Sequence, residues 1–154
     1  MNYVGKPQIR PDGIPKTNGK AKYGNDIKLP DMLYAACKYT DIVTGKIEFV
    51  DSSIAQDIPG VELIAFYDDV PGSAKVGPIR QDYPPIVDRE VVFTGDVIAV
   101  VAAKTREQAI LAANSIEVKY TAYEPLTDPE KAVLPSARLI HPEYKSNIVN
   151  HYPL

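Results

Sequence analysis

"TGDVIAVVAAKTREQAILAANSIEVKY", residues 94–120, decides how the rest of the chain is read. It divides into a strand, a helix and a second strand. "VIAVVAA" is almost continuously apolar, as expected of a central strand covered on both faces. Over 105–115 the spacing predicts the main helix, with Ala109, Ala112, Ala113 and Ile116 at i, i+3, i+4 and i+7. Such a narrow stripe of small side chains lets a helix lie close on a sheet. "IEVKY" alternates, which places Ile116, Val118 and Tyr120 on the inward face.

A strand followed by a turn and a helix is also where phosphates are cradled. A dinucleotide or phosphate loop needs glycines there, so that backbone N–H groups approach the ligand without side chains in the way. The connection here is Ala102-Ala103-Lys104-Thr105, with no glycine. Thr105-Arg106-Glu107-Gln108 has instead the spacing of a capping box, which satisfies open N–H groups at a helix start. Such a cap stabilises by about 1 kcal/mol and does no chemistry. The turn reads as scaffold.

Working outward, "VVFTGDV" (91–97) places Gly95-Asp96 between apolar runs, as a tight turn or a bulge. Upstream, "SAKVGPIRQDYPPIVDRE" (73–90) reads as a long loop. Irregular stretches of that length inside a domain are either functional or packed against something else. "MLYAACKY" (32–39), "KIEFVD" (46–51) and "VELIAFY" (61–67) read as strands, with Ile47 and Phe49 on one face. A short helix is expected over about 52–57, started by Ser53 and Gln56 at capping-box spacing. Residues 1–31 lack periodicity and read as an extended lead-in. Beyond Pro125, "TDPEKAV" predicts one helical turn with Asp128 as N-cap and Pro129 at the first helical position. The remaining segment, 126–154, reads as extended, and apolar residues (Ile148, Val149, Tyr152, Leu154) run to its last position. A chain cut before its next element would look like this. The fold class expected is α+β: a mixed sheet with one main helix and one short helix, spanning 32–125.

Composition narrows the function. Hydrophobic residues make up 45% and charged residues 24%, as in globular proteins. No apolar run approaches the ~20 residues that span a bilayer, and "MNYVGKPQIRPDG" lacks the apolar centre of a signal peptide. A cytoplasmic protein with no membrane contact is expected. The net charge is −3, with 17 basic residues scattered among 20 acidic ones, so no basic patch suits nucleic acid. Cys37 is the single cysteine, which excludes an internal disulfide and a Cys-based metal centre; its apolar run makes it a small buried hydrophobe. His141 and His151 are ten residues apart, wider than metal-ligand spacing in helices or hairpins. Asp68 and Asp69 precede the Pro71-Gly72 turn and read as exposed turn residues rather than an acid/base pair. No Gly-x-Ser-x-Gly elbow or His-Glu-x-x-His is present. No catalytic, cofactor-binding or metal residue is assigned.

A family resemblance adds to this. Arg10, Asp12 and Gly13, followed by "KTNGKAKYGND" (16–26), resemble the opening of the molybdenum-binding subunit of the xanthine dehydrogenase and aldehyde oxidase family. Lys16, Gly19, Ala21, Tyr23 and Asp26 match its pattern, while Thr17 and Asn18 depart. "LPDMLYA", "IPGVELI", "DDVPG", "GPIRQDYP", "FTGDVIAVVAA" and "IEVKY" come after it in the family's order. "LIHPEYKSNIV" is similar to the segment before the next domain in bacterial xanthine dehydrogenases. "KYTDIVTGKI" stands where many members have Arg-Ser-Pro and an Ala-His pair.

The resemblance implies an α/β-hammerhead domain, a non-catalytic scaffold at the start of a molybdenum hydroxylase subunit. It implies a parent enzyme that hydroxylates purines, related heterocycles or aldehydes with oxygen from water. The molybdenum–pterin cofactor would sit in later domains of that subunit, and iron–sulfur clusters and FAD in partner domains or subunits. Two other readings remain: a stand-alone module whose loop 73–90 binds a ligand or protein, and a stand-alone enzyme of another kind.

Overall fold

The computed structural model describes residues 4–151. Its elements, in chain order, are α1 (Gly13–Thr17), β1 (Tyr34–Tyr39), β2 (Gly45–Asp51), α2 (Ser53–Gln56), β3 (Val61–Ala65), β4 (Glu90–Val91), β5 (Val97–Ala103), α3 (Arg106–Ser115), β6 (Glu117–Ala122) and α4 (Pro129–Ala132), with short 3-10 turns between. The chain divides into two compact units, one ending at Met32 and the other beginning at Leu33.

The first unit holds α1 inside the stretch expected to be irregular. Asp12 binds Arg10 Nε and Lys16 Nζ, both at 2.6 Å, and these two cations hold its carboxyl below the usual range. Thr17 Oγ1 donates back to the Gly13 and Ile14 carbonyls. Local pairs of this kind stabilise a turn of helix that has no apolar stripe of its own.

In the second unit β5 is central, as its apolar run predicts, in a sheet of order β1-β5-β3. A second sheet has the order β4-β2-β6, and every pairing in both is antiparallel. The expected single mixed sheet is therefore two antiparallel ones. Residues 94–120 do form a strand, a helix and a strand, but β5 and β6 belong to different sheets. A run of alternation shows that a strand exists; its partner is set by side chains elsewhere in the chain.

Two clusters make the core, and β5 feeds both. Ala99 and Val101 are buried with Ala55 of α2 and with Ala112, Ala113 and Ile116 of α3 and its end. On the opposite face Ile98 is buried with Ile47, Val87 and Val91. Val50 and Val118 pack against both clusters and join them. Full burial of a side chain such as Ile116 stabilises by about 1.5–3 kcal/mol. The second face of β5 is closed mainly near Ile98, since Val100 and Ala102 are only half-buried.

β2 departs from simple alternation. Ile47 opposes Tyr120, but Phe49 opposes Lys119, so Glu48 is an extra residue. A bulge reverses the faces beyond it. Val50 turns inward, and Phe49 is 53% exposed with Lys119 Nζ 6.0 Å from its ring centroid. The expectation that Phe49 shares the face of Ile47 is corrected by that bulge. The cap of α2 is corrected too. Its N-cap is Ser52, whose Oγ accepts from Gln56 Nε2 at 3.0 Å, and Asp51 Oδ1 accepts from Ser53 N–H at 2.9 Å. The Ser/Gln pair lies one residue wider than a capping box, across a full helical turn.

α3 has the expected cap and stripe. Thr105 Oγ1 accepts from Gln108 N–H at 3.2 Å, and Gln108 Oε1 accepts from Thr105 N–H at 3.1 Å. Ala109, Ala112 and Ala113 are buried. Replacing Ala112 or Ala113 with leucine forces a larger side chain against β1 and β5, and should destabilise by about 1–3 kcal/mol. Glu107→Ala, on the outer face, should change stability by less than about 0.5 kcal/mol. Urea melts with equal shifts for the two kinds of variant would mean that the helix face is misassigned.

Gly95-Asp96 is a tight turn. Asp96 N–H donates to the Phe93 carbonyl at 3.3 Å, and Gly95 has φ +131°, which a side chain would resist. Past β6, Asp128 Oδ1 accepts from the N–H groups of Glu130 and Lys131, and Pro129 starts α4 as expected. Beyond α4 the segment is folded by side chains rather than extended. Asn147 donates to the carbonyls of Ala132 and Arg138 and accepts from Ile140 N–H, all within 3.0 Å. Arg138 Nη2 reaches Thr44 Oγ1 at 2.9 Å, with its guanidinium 4.9 Å from the Tyr123 ring centroid. Tyr152 and Leu154, part of the expected apolar run to the last position, lie outside the described residues. No helix among the described residues is long and apolar enough to cross a membrane.

Candidate functional site

The turn before α3 has no room for a phosphate. Gly60 has φ +90°, and a Cβ there would sit 2.5 Å from Gln108 Oε1. Lys104 N–H donates to the Gly60 carbonyl at 2.9 Å. The capping side chain and the 59–60 turn thus fill the space beside the helix start. Other close glycines are crowded by the chain itself: Gly45 by Thr121 O and Gly77 by Arg80 O. Neither opens a cradle toward solvent.

The remaining candidate residues are dispersed. Asp68 and Asp69 are exposed on a 3-10 turn, where Asp69 Oδ2 accepts from Phe66 N–H at 2.8 Å. Cys37 lies half-buried in β1 opposite Val100. Its proximity holds the phenol of Tyr39 above its ordinary value. His141 Nδ1 is 3.9 Å from Glu143 Oε1, and His151 is exposed. Among the described residues no three of His, Cys, Asp and Glu come together in a way that could hold a metal ion.

What the structure does bring together is loop 73–90 and the segment after α4. Two adjoining hollows, of about 400 and 360 Å³, share Asp82, Ile140 and His141. Tyr144, on the wall of the second, ties the segment to the loop. Its hydroxyl donates to Asp82 Oδ2 at 3.1 Å, and the Arg80 guanidinium lies 4.8 Å from its ring centroid. Partial burial, then the bond and charge of Asp82, raise its phenol above the ordinary range, with Arg80 opposing. Sequence reasoning flagged the loop by its length but missed Tyr144 and Asn147. Their partners are distant in sequence or carry no spacing signal.

Residues 18–124 match the family described as aldehyde oxidase and xanthine dehydrogenase, a/b hammerhead domain. The chain belongs to this family. The chain is 36% identical over 139 residues to a probable xanthine dehydrogenase subunit of Bacillus subtilis, covering 90% of this chain and 19% of that protein. It is 34% identical over 148 residues to the nicotinate dehydrogenase large molybdopterin subunit of Eubacterium barkeri, covering 96% and 35%. Among solved structures, the aldehyde oxidoreductase of Desulfovibrio gigas superposes with a TM-score of 0.80 at 28% identity, over 86% of this chain and 16% of that one. The chain thus spans about a fifth to a third of these curated relatives. The hammerhead fold with its few helices stands as the resemblance implied.

Proposed function

We propose that this hammerhead domain is a non-catalytic scaffold within a molybdenum hydroxylase, one that is xanthine dehydrogenase-like. The observation that carries this reading is the family match over residues 18–124, on a fold in which the Gln108 side chain fills the turn before α3. The described residues do not fit a molybdenum–pterin group: no cluster of His, Cys, Asp and Glu could hold the metal, and Gly45, Gly60 and Gly77 are crowded by the chain itself. That cofactor belongs, in this reading, to other domains of the subunit. Iron–sulfur and flavin centres on partner domains or subunits take the electrons, and the enzyme is cytoplasmic. The complete enzyme hydroxylates a purine or related N-heterocycle with oxygen from water, a substrate class supported by the similarity to a probable xanthine dehydrogenase.

The test is elemental analysis and a turnover screen of the complete enzyme beside the 154-residue chain. Molybdenum is expected in the enzyme and not on the chain, with hypoxanthine or xanthine oxidised. Stoichiometric molybdenum on the folded 154-residue chain would remove the scaffold role. Oxidation of aldehydes alone would overturn the purine assignment and leave the scaffold in place.

A further inference from the structure

We propose that the tip of loop 73–90 and the segment 140–149 form one docking surface, covered by the remainder of the molybdenum subunit through an aliphatic or aromatic side chain seated beside Tyr144. This rests on the functional reading above. It goes further by naming the face that is covered and the chemistry that covers it.

The tip is held in shape before any partner arrives. Val76 N–H donates to the Tyr83 carbonyl at 2.8 Å, and Tyr83 N–H donates back at 3.1 Å. The turn inside this bridge closes so tightly that no side chain fits at Gly77, where the Arg80 carbonyl stands. Ile79, at the apex, is 94% exposed. Tyr144 then braces the tip from across the hollow, through Arg80 on its face and Asp82 on its hydroxyl. A rigid loop loses little entropy on docking, and that raises the affinity an exposed apolar knob can deliver.

The neighbouring wall matches the knob in character. The hollow of about 360 Å³ is lined by Leu126, Ile140, Ile148 and Val149 as well as Tyr144. Ile148 and Val149 are themselves exposed, so apolar surface continues from the hollow to the open face. A contiguous apolar patch marks an interaction site, whereas single exposed residues do not. The outer face of α3 shows the contrast: Ile110 and Leu111 are exposed there among Arg106, Glu107 and Asn114. That face is solvated. Polar side chains of the same hollow are engaged within it, Arg80 and Asp82 by Tyr144 and Asn147 by the Ala132 and Arg138 carbonyls, so its open aliphatic part takes an apolar side chain.

The relatives supply the partner. This domain corresponds to 19% and 35% of two of them, so a domain of this kind sits within a much larger polypeptide.

Cysteines introduced at 79, 148 and 107, each in a Cys37→Ser background, test the surface by the rate of maleimide labelling at that position, read by mass spectrometry of the peptide that holds it. Each is measured in the 154-residue chain and in the complete enzyme that carries it. Ile79→Cys and Ile148→Cys should label at least tenfold more slowly in the enzyme, and Glu107→Cys at a similar rate in both. Equal rates at 79 and 148 would overturn the surface, and so would matching protection at 107. Hydrogen exchange of β5 and α3 confirms that each isolated variant is folded. Molybdenum content separates the two claims. Protection without molybdenum sinks the functional reading and keeps the surface, and a molybdenum enzyme with free labelling does the reverse.

Discussion

Replacing Gly45 with alanine is expected to cost at least about 3 kcal/mol, the upper end of what overpacking does. Gly45 stands where three strands meet, paired with Val91 of β4 on one side and Ala122 of β6 on the other. A Cβ there would fall 2.5 Å from the Thr121 carbonyl oxygen, 2.7 Å from Ile42 Cδ1 and 2.9 Å from Ala122 Cα. Two of those atoms are backbone, so no rotamer change can relieve the contact, and β6 must move off β2. The neighbouring clamp would loosen with it, because Thr44 Oγ1 donates to the Val91 carbonyl at 2.9 Å and receives Arg138. Gly24→Ala is the control, since a Cβ there meets nothing within 4 Å. Urea denaturation should separate the two variants clearly. A Gly45→Ala protein within about 1 kcal/mol of the parent would show that β2 and β6 are not packed as closely as described.

How much of this was legible in the sequence depends on the range of the interaction. Thr105-x-x-Gln108 and Asp128-Pro129 were readable because a helix start is satisfied within three residues. The Ala109, Ala112, Ala113 stripe was readable because helical periodicity alone sets which side chains share a face. Phe49 was misread because a bulge is invisible to a period-two pattern: Glu48 looks like any other residue on the strand. The two sheets were read as one because alternation says nothing about partners. The segment after α4 was read as extended because Asn147 holds it through carbonyls of Ala132 and Arg138, and any asparagine in a proline-rich stretch looks the same.

The candidate site divides in the same way. A phosphate cradle has a sequence signature, the missing glycines could be counted, and the structure shows what fills the space instead. Loop 73–90 has no signature beyond its length. That it is bridged at Val76 and Tyr83 and braced by Tyr144, sixty-two residues from Asp82, is visible only in the folded chain. A surface made of segments that far apart carries no local pattern to read.

Asp96→Ala is the other substitution with a large expected effect, roughly 2–4 kcal/mol from two lost carboxylate hydrogen bonds. Its side chain is 1% exposed, and Oδ2 accepts from the N–H groups of Val92 and Phe93 at 2.7 and 3.3 Å. Those bonds fold the 92–96 turn that brings Val91 back beside β2, so alanine would leave donors unsatisfied at the edge of the second sheet. Oδ1 is buried and has no partner in the protein, which opposes the gain from Oδ2. Asp96→Asn weighs the two effects. It keeps one acceptor oxygen for both N–H groups, so it should cost about 1 kcal/mol, a single hydrogen bond's worth. Hydrogen exchange at Val92 and Phe93 should accelerate in the alanine variant and change little in the asparagine variant. Equal destabilisation by both would mean that the carboxylate's charge, rather than its acceptor geometry, holds the turn. An alanine variant as stable as the parent would mean that the buried orphan oxygen cancels everything Oδ2 contributes.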